Sequence, residues 1–303
     1  MNTQPITPEL LASSVIAVPP LARDEDYSLS KAQNLRLVKH LEAGGVTTLL
    51  YGGNANLYHI KPSEYLALLE MLEEISSAGT TVVPAVGPSY GVMMDQAEML
   101  RGSDYPTVMI LPQVGLTTEE GVQRGIRHFA EAVEKPVVVY LKNEGYLTVD
   151  QTKELVDDGL VSWIKYAIVR DNPSEDAVLS ELVDKVDPNI VVSGIGEQPA
   201  IVHLRDFGVG GFTSGCVCLA PRLSMTMLKQ IKNGDYTAAE ETRGIFKRLE
   251  DLRNEINPIR VLHDAVTYAG ISDVGPMLPL LSDVEEADRS RVREAAQTLF
   301  AEN

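Results

Sequence analysis

The chain has 303 residues and a formal net charge of −17, enough for one large α/β barrel or two ordinary domains. Apolar residues make up 44% and charged residues 23%, the balance of a soluble globular protein with a sizeable core. So acidic a surface repels phosphate backbones, which argues against nucleic acid and anionic membranes as partners but not against a small acid held by a few local donors.

The first stretch, "MNTQPITPELLASSVIAV", lacks a basic leader and a long apolar segment. No signal peptide is expected, and a cytoplasmic location is the default. No apolar run approaches the length of a bilayer span. Short β-branched runs ending in Gly, Pro or Asn then alternate with amphipathic stretches. Strands are expected near 13–18, 46–52, 80–86 and 107–112. Leucines recur at helical spacing over 63–75, with Ser63 as a candidate N-cap, and 117–133 opens with Thr and two Glu, which suit a helix start. Four more strands are expected near 136–141, 160–165, 189–194 and 210–214. Beyond them, 223–256 reads as continuous helix, with further helices in 257–271 and 285–303. Eight strand–helix units over roughly 230 residues predict a (β/α)8 TIM barrel. It would occupy residues 1–220, with 221–303 as the last barrel helix and a C-terminal helical region. An open doubly wound sheet is the alternative.

Function in a parallel barrel collects at the strands' C-terminal ends. Lys165 stands there, closing the sixth strand in "VSWIKYAIVR". A lysine in an apolar run is most often a stem packed on apolar surface with its head in water. An amine pointed into the barrel mouth would instead be desolvated, which favours its neutral, nucleophilic form and permits a Schiff base with a ketone. Tyr140 closes the neighbouring fifth strand, where a phenol can pass protons or simply cap the core. The loop "YGGNAN" places Gly53 and Asn54 after the second strand, either as a tight turn or as a carboxylate cradle. Asn143, Gly194, Glu197 and Ser214 are weaker candidates for lining the pocket. The glycines of "SGIGE" and those before the eighth strand also allow a phosphate-binding barrel. Cys216 and Cys218 read as small apolar thiols, and five scattered histidines give no metal motif. Neither a metal nor a cofactor is expected.

The ordered set resembles the dihydrodipicolinate synthase / N-acetylneuraminate lyase family of class I, Schiff-base-forming aldolases. "GGNAN" stands where that family has GTTGE, and Tyr140 matches its strand-five tyrosine. Lys165 in "WIKY" matches its lysine, and "VVSGIGE" and "GGFTSGCVCLAP" match its last two strand ends. The resemblance implies a lysine imine with pyruvate or another 2-oxo acid. It also implies proton transfer by the tyrosine, carboxylate binding by the strand-two loop, and a homo-oligomer, commonly a tetramer.

The departures narrow the substrate. Gly53 and Asn54 replace two threonines, and Gly145 or Tyr146 falls where the lysine-biosynthesis enzymes carry an arginine. "LPQVGL" lacks the strand-four tyrosine that reaches a neighbouring subunit, and Tyr166 replaces a glutamate. These argue against dihydrodipicolinate synthesis itself. The expectation is a lyase, aldolase or dehydratase, acting on a 2-keto-3-deoxy sugar acid. A barrel that binds a small acid without turning it over is the alternative, beside the phosphate-binding enzyme.

Overall fold

A computed structural model describes residues 1–303, and its eight strands close into a parallel barrel in chain order. They are β1 (Ile16–Ala17), β2 (Thr48–Tyr51), β3 (Thr81–Val86), β4 (Met109–Ile110), β5 (Val137–Leu141), β6 (Val161–Tyr166), β7 (Val191–Ser193) and β8 (Gly211–Ser214). β1 pairs with both β2 and β8, so no edge is left open. Every residue of β2 and β3 is buried, because one face fills the lumen and the other packs under helices.

A short helix, α1 (Pro8–Ser13), precedes the barrel. After β1 to β7 come α2 (Lys31–Ala43), α3 (Tyr65–Ile75), α4 (Tyr90–Leu100), α5 (Glu119–Val133), α6 (Val149–Asp157), α7 (Ala177–Lys185) and α8 (Ala200–Asp206). α9 (Pro221–Lys232) follows β8, and α10 (Tyr236–Glu255), α11 (Pro258–Tyr268) and α12 (Glu286–Ala301) complete the chain. No helix is long and apolar enough to cross a membrane.

Several element ends differ from expectation for local reasons. Ser63 is not an N-cap: Pro62–Glu64 form a 3-10 turn, and α3 starts at Tyr65 without a side-chain cap. Thr118 caps α5 by accepting from the Gly121 N–H at 3.2 Å, so that helix begins two residues later than its pattern. The stretch 223–256 is two helices. Gly234, at φ 75°, turns the chain between them, and the Asp235 carboxylate accepts from the Ala238 N–H to start α10. Lys165 does not close its strand, since β6 continues to Tyr166.

The β5–β6 ladder carries the feature that matters most. Val137 faces Val161, but Val138 faces Trp163, so Ser162 is left without a partner. Above this bulge the register is regular, and Tyr140 pairs with Lys165. The Ser162 hydroxyl is held 2.6 Å from that of Thr107.

Candidate active site

Paired residues on adjacent parallel strands point the same way, and successive residues alternate faces. Lys165 and Tyr140 therefore both enter the barrel mouth, and Trp163, fully buried, lies one step below the lysine on its face. Tyr166 points outward, where its hydroxyl donates to the Asp176 carboxylate at 2.7 Å. Asp176 is also the cap of α7, so the strand that carries the lysine is tied to its own helix.

The Lys165 Nζ sits 4.5 Å from the centroid of the Tyr140 ring. The lysine is only 5% exposed. Burial pulls its amine down to about 7, and the positive charges of Lys142 and Arg253 pull the same way. At an ordinary pKa about one lysine in 2,500 is neutral at pH 7; a value near 7 makes the neutral form abundant. Burial moves the Tyr140 phenol in the opposite direction, well above its usual range, with Tyr58 adding to the shift. The phenol of Tyr58 is pushed up to about 12, again by burial. The mouth thus holds a free amine beside phenols that keep their protons.

These groups open into a cavity of about 230 Å³. Of the residues anticipated from sequence, Lys165, Tyr140, Gly53, Asn54 and Gly194 line it. A Cβ on Gly53 would meet only Tyr58, at 3.7 Å, so the space above that glycine belongs to the cavity. One amide hydrogen of Asn54 is committed to the Val18 carbonyl at 2.8 Å, which pins the loop to the end of β1. Gly194 has no room for a side chain: a Cβ would stand 2.8 Å from the Tyr166 carbonyl oxygen and 3.0 Å from Lys165 Cγ.

Three anticipated residues are not brought to the cavity. Asn143 is exposed on the opposite side of the pleat from Tyr140 and Lys142, and the neighbouring Glu144 pairs with Arg170. Glu197 and Ser214 are buried, but they face outward toward the helices. The Glu197 carboxylate accepts from Ser214 and Ser224, each at 2.8 Å, and so knits the β7 and β8 ends to α9. Glu250 on α10 lies against Glu197 and accepts its backbone N–H at 2.8 Å. Burial pushes both carboxyls up, and the Glu197 charge pushes Glu250 further. Cys216, beside it, and Cys218 are buried free thiols raised by burial.

The phosphate alternative is disfavoured at the loop after β7. The Gly194 N–H donates to the Tyr166 carbonyl at 2.6 Å, and the Gly196 N–H donates to the Thr213 carbonyl at 3.1 Å. With the Glu197 N–H also engaged, three of the four N–H groups from Gly194 to Glu197 are already used, and little backbone cradle is left in the loop after β7. A larger hollow of about 470 Å³ lies between α4 and α5, but its only titratable lining groups are tyrosines.

Sequence reasoning missed Tyr58, Lys142, Thr213, Arg253 and Asn254 among the lining residues. Lys142 and Thr213 were legible in principle: Lys142 lies two residues on from the inward-facing Tyr140, and Thr213 alternates with the outward-facing Ser214. Arg253 was not. It comes from the last turn of α10, far along the chain, and nothing local marks it.

The dihydrodipicolinate synthetase family matches residues 12–299. A 4-hydroxy-tetrahydrodipicolinate synthase of Pseudomonas putida is 26% identical over 264 residues, covering 84% of this chain and 87% of its own. A probable 5-dehydro-4-deoxyglucarate dehydratase of Rhizobium rhizogenes is 20% identical over 303 residues, covering 96% and 97%. The crystal structure of dihydrodipicolinate synthase from Bacillus clausii superposes with a TM-score of 0.83 at 21% identity, covering 95% of this chain and 98% of that one.

Proposed function

This chain belongs to the dihydrodipicolinate synthetase family and is a lyase of the Schiff-base type; from that premise we propose that it acts on a 2-keto-3-deoxy sugar acid, with Lys165 as the nucleophile. The neutral amine attacks the ketone carbon, and the carbinolamine loses water to give an imine. Protonated, that imine draws electrons from the adjacent carbon. Removal of a proton there and departure of the β-hydroxyl dehydrates the substrate; breaking the next C–C bond instead cleaves it.

Tyr140 is the proton shuttle. Its phenol stays protonated at neutral pH, so it can hand a proton to the departing carbinolamine oxygen and recover one afterwards. The substrate's carboxylate must lie one bond from the imine carbon, and the turn at Gly53 and Asn54 is the candidate cradle at that depth. The dehydratase named among the relatives covers nearly the whole chain and favours a sugar acid over a simple ketone. A homotetramer is the expected assembly. Tyr90, Val114 and Leu116 remain exposed around the α4–α5 hollow and offer apolar surface for a second copy.

The observation that carries this reading is a buried amine drawn to about 7 and standing 4.5 Å from the Tyr140 ring centroid. Incubation with pyruvate and borohydride, then peptide mass spectrometry, should place a reduced adduct on Lys165. A wild-type protein that gives no adduct, or gives one elsewhere, overturns the assignment. Turnover of any 2-keto-3-deoxy sugar acid also removes the binding-only alternative.

A further inference from the structure

In a chain of net charge −17, the cavity is lined by Lys142, Lys165 and Arg253 and by no aspartate or glutamate. Such a reversal of sign marks a place built for anions. Lys165 is accounted for by the imine. The other two cations help to keep its amine neutral but form no bond in the imine, and neither makes a salt bridge with an acid of the protein. Lys142 is exposed.

Arg253 is held by weak neutral partners. Its Nε donates to the Pro258 carbonyl at 3.2 Å, and Nη1 lies 3.8 Å from the Cys216 sulfur. The nearest acids, Glu250 and Glu197, are engaged with each other behind Gly196, and burial favours their protonated forms. Room for the guanidinium is made by Gly215: a Cβ there would stand 2.7 Å from Nη2 and 2.9 Å from Cζ. The glycine thus lets a long cationic side chain lie against the end of β8.

We infer that the cavity takes a substrate with an acid group at each end, and that Arg253, with Lys142, holds the carboxylate remote from the ketone. This deepens the Schiff-base reading and rests on it. The carboxylate next to the ketone must sit level with the Lys165 nitrogen, down at the strand ends. Arg253 comes from α10, with Asn254, Pro258 and Ile259 beside it, and its guanidinium lies at Gly215, at the end of β8. That is two strands round the barrel from Lys165 on β6 and two from the Gly53–Asn54 turn after β2, so it faces a different part of a bound chain from the ketone and its carboxylate. A planar guanidinium accepts a carboxylate by two parallel hydrogen bonds, and a remote anchor of this kind supplies binding energy that orients the reacting end.

The test uses two six-carbon ketones, 2-oxoadipate and 2-oxohexanoate, which differ only in the remote carboxylate. In borohydride trapping on the wild-type protein, half-saturation should come at roughly 10- to 100-fold lower concentration for the diacid. In Arg253→Gln that gap should collapse, and Arg253→Lys should restore part of it. Equal trapping of both ketones by the wild type overturns the inference. So does a gap that survives Arg253→Gln, or a variant that weakens both ketones equally, which would place the arginine on the shared carboxylate. Calorimetry with adipate against hexanoate reads the same site without an imine. Adipate selectivity lost in Arg253→Gln supports the anchor even where no ketone is trapped, in which case the Schiff-base reading alone falls. Gly215→Ala, which displaces the guanidinium without removing it, should reproduce the loss of adipate selectivity. An unchanged selectivity there counts against the geometry.

Discussion

Gly194 and Lys165 touch across two strands: a methyl group on the glycine would lie 3.0 Å from Lys165 Cγ and 2.8 Å from the backbone oxygen of Tyr166. The lysine stem could move, but the backbone oxygen cannot do so cheaply. Gly194→Ala should therefore cost about 1–3 kcal/mol of stability through overpacking. It should also displace the amine, lowering the trapping rate with pyruvate at least tenfold. Both are measurable, by chemical denaturation and by timed borohydride quenching. A fully active, equally stable alanine variant would refute the close approach.

The amine at about 7 sets a pH profile. Only the unprotonated form attacks a ketone, so the trapping rate should rise with pH through a limb centred near 7 and level off above it. Lys142 and Arg253 both hold that value down. Lys142→Met should move the limb upward, modestly, because an exposed charge is screened by solvent and salt. A limb that stays near the ordinary lysine range in the wild type contradicts the desolvated amine.

The same amine is a burden on the fold. Its folded pKa, about 7, lies below the ordinary 10.5. Between those values the unfolded chain holds a proton that the folded one has released, so wild-type stability rises with pH across that window. Below pH 7 the penalty is present in full. Lys165→Met should abolish turnover yet raise stability on the order of 2–4 kcal/mol at pH 6, with the gain shrinking toward pH 10. Melting curves at several pH values decide it; a methionine variant less stable than wild type at pH 6 would falsify the burial argument.

Tyr140→Phe keeps the ring beside Lys165 and removes only the hydroxyl. Turnover should fall by roughly 10²- to 10⁴-fold, the usual worth of a positioned proton donor. The final amount of pyruvate adduct should be preserved while its rate drops. If turnover is unaffected, another group, with Tyr58 the first suspect, is moving the proton.

The barrel was legible because its strands are continuous apolar runs punctuated by Gly, Pro and Asn, and its helices carry a clear apolar face. Lys165 stood out for the converse reason, as a charge inside such a run. What failed was anything decided by which face a residue takes. Glu197 and Ser214 sit at the right strand ends but look outward, where serine hydroxyls satisfy the buried carboxylate. Asn143 is one residue out of phase with Tyr140 and Lys142. Arg253 reaches the mouth by long-range packing of α10, which no local pattern encodes. The break at Gly234 was readable as a turn signal, but a helical pattern on both sides masked it.

The unpaired Ser162 decides which way the top of its strand looks. Were it absorbed into the ladder, Tyr140 would stand beside Ile164, and Lys165 beside Leu141, whose side chain points away from the lumen. The reacting nitrogen would then be outside the barrel with its sequence neighbours unchanged. Odd or even, a count made about 10 Å beneath the ketone governs whether there is an enzyme at all. A relative lacking the extra residue would have to carry its lysine one place earlier to keep the same chemistry indoors.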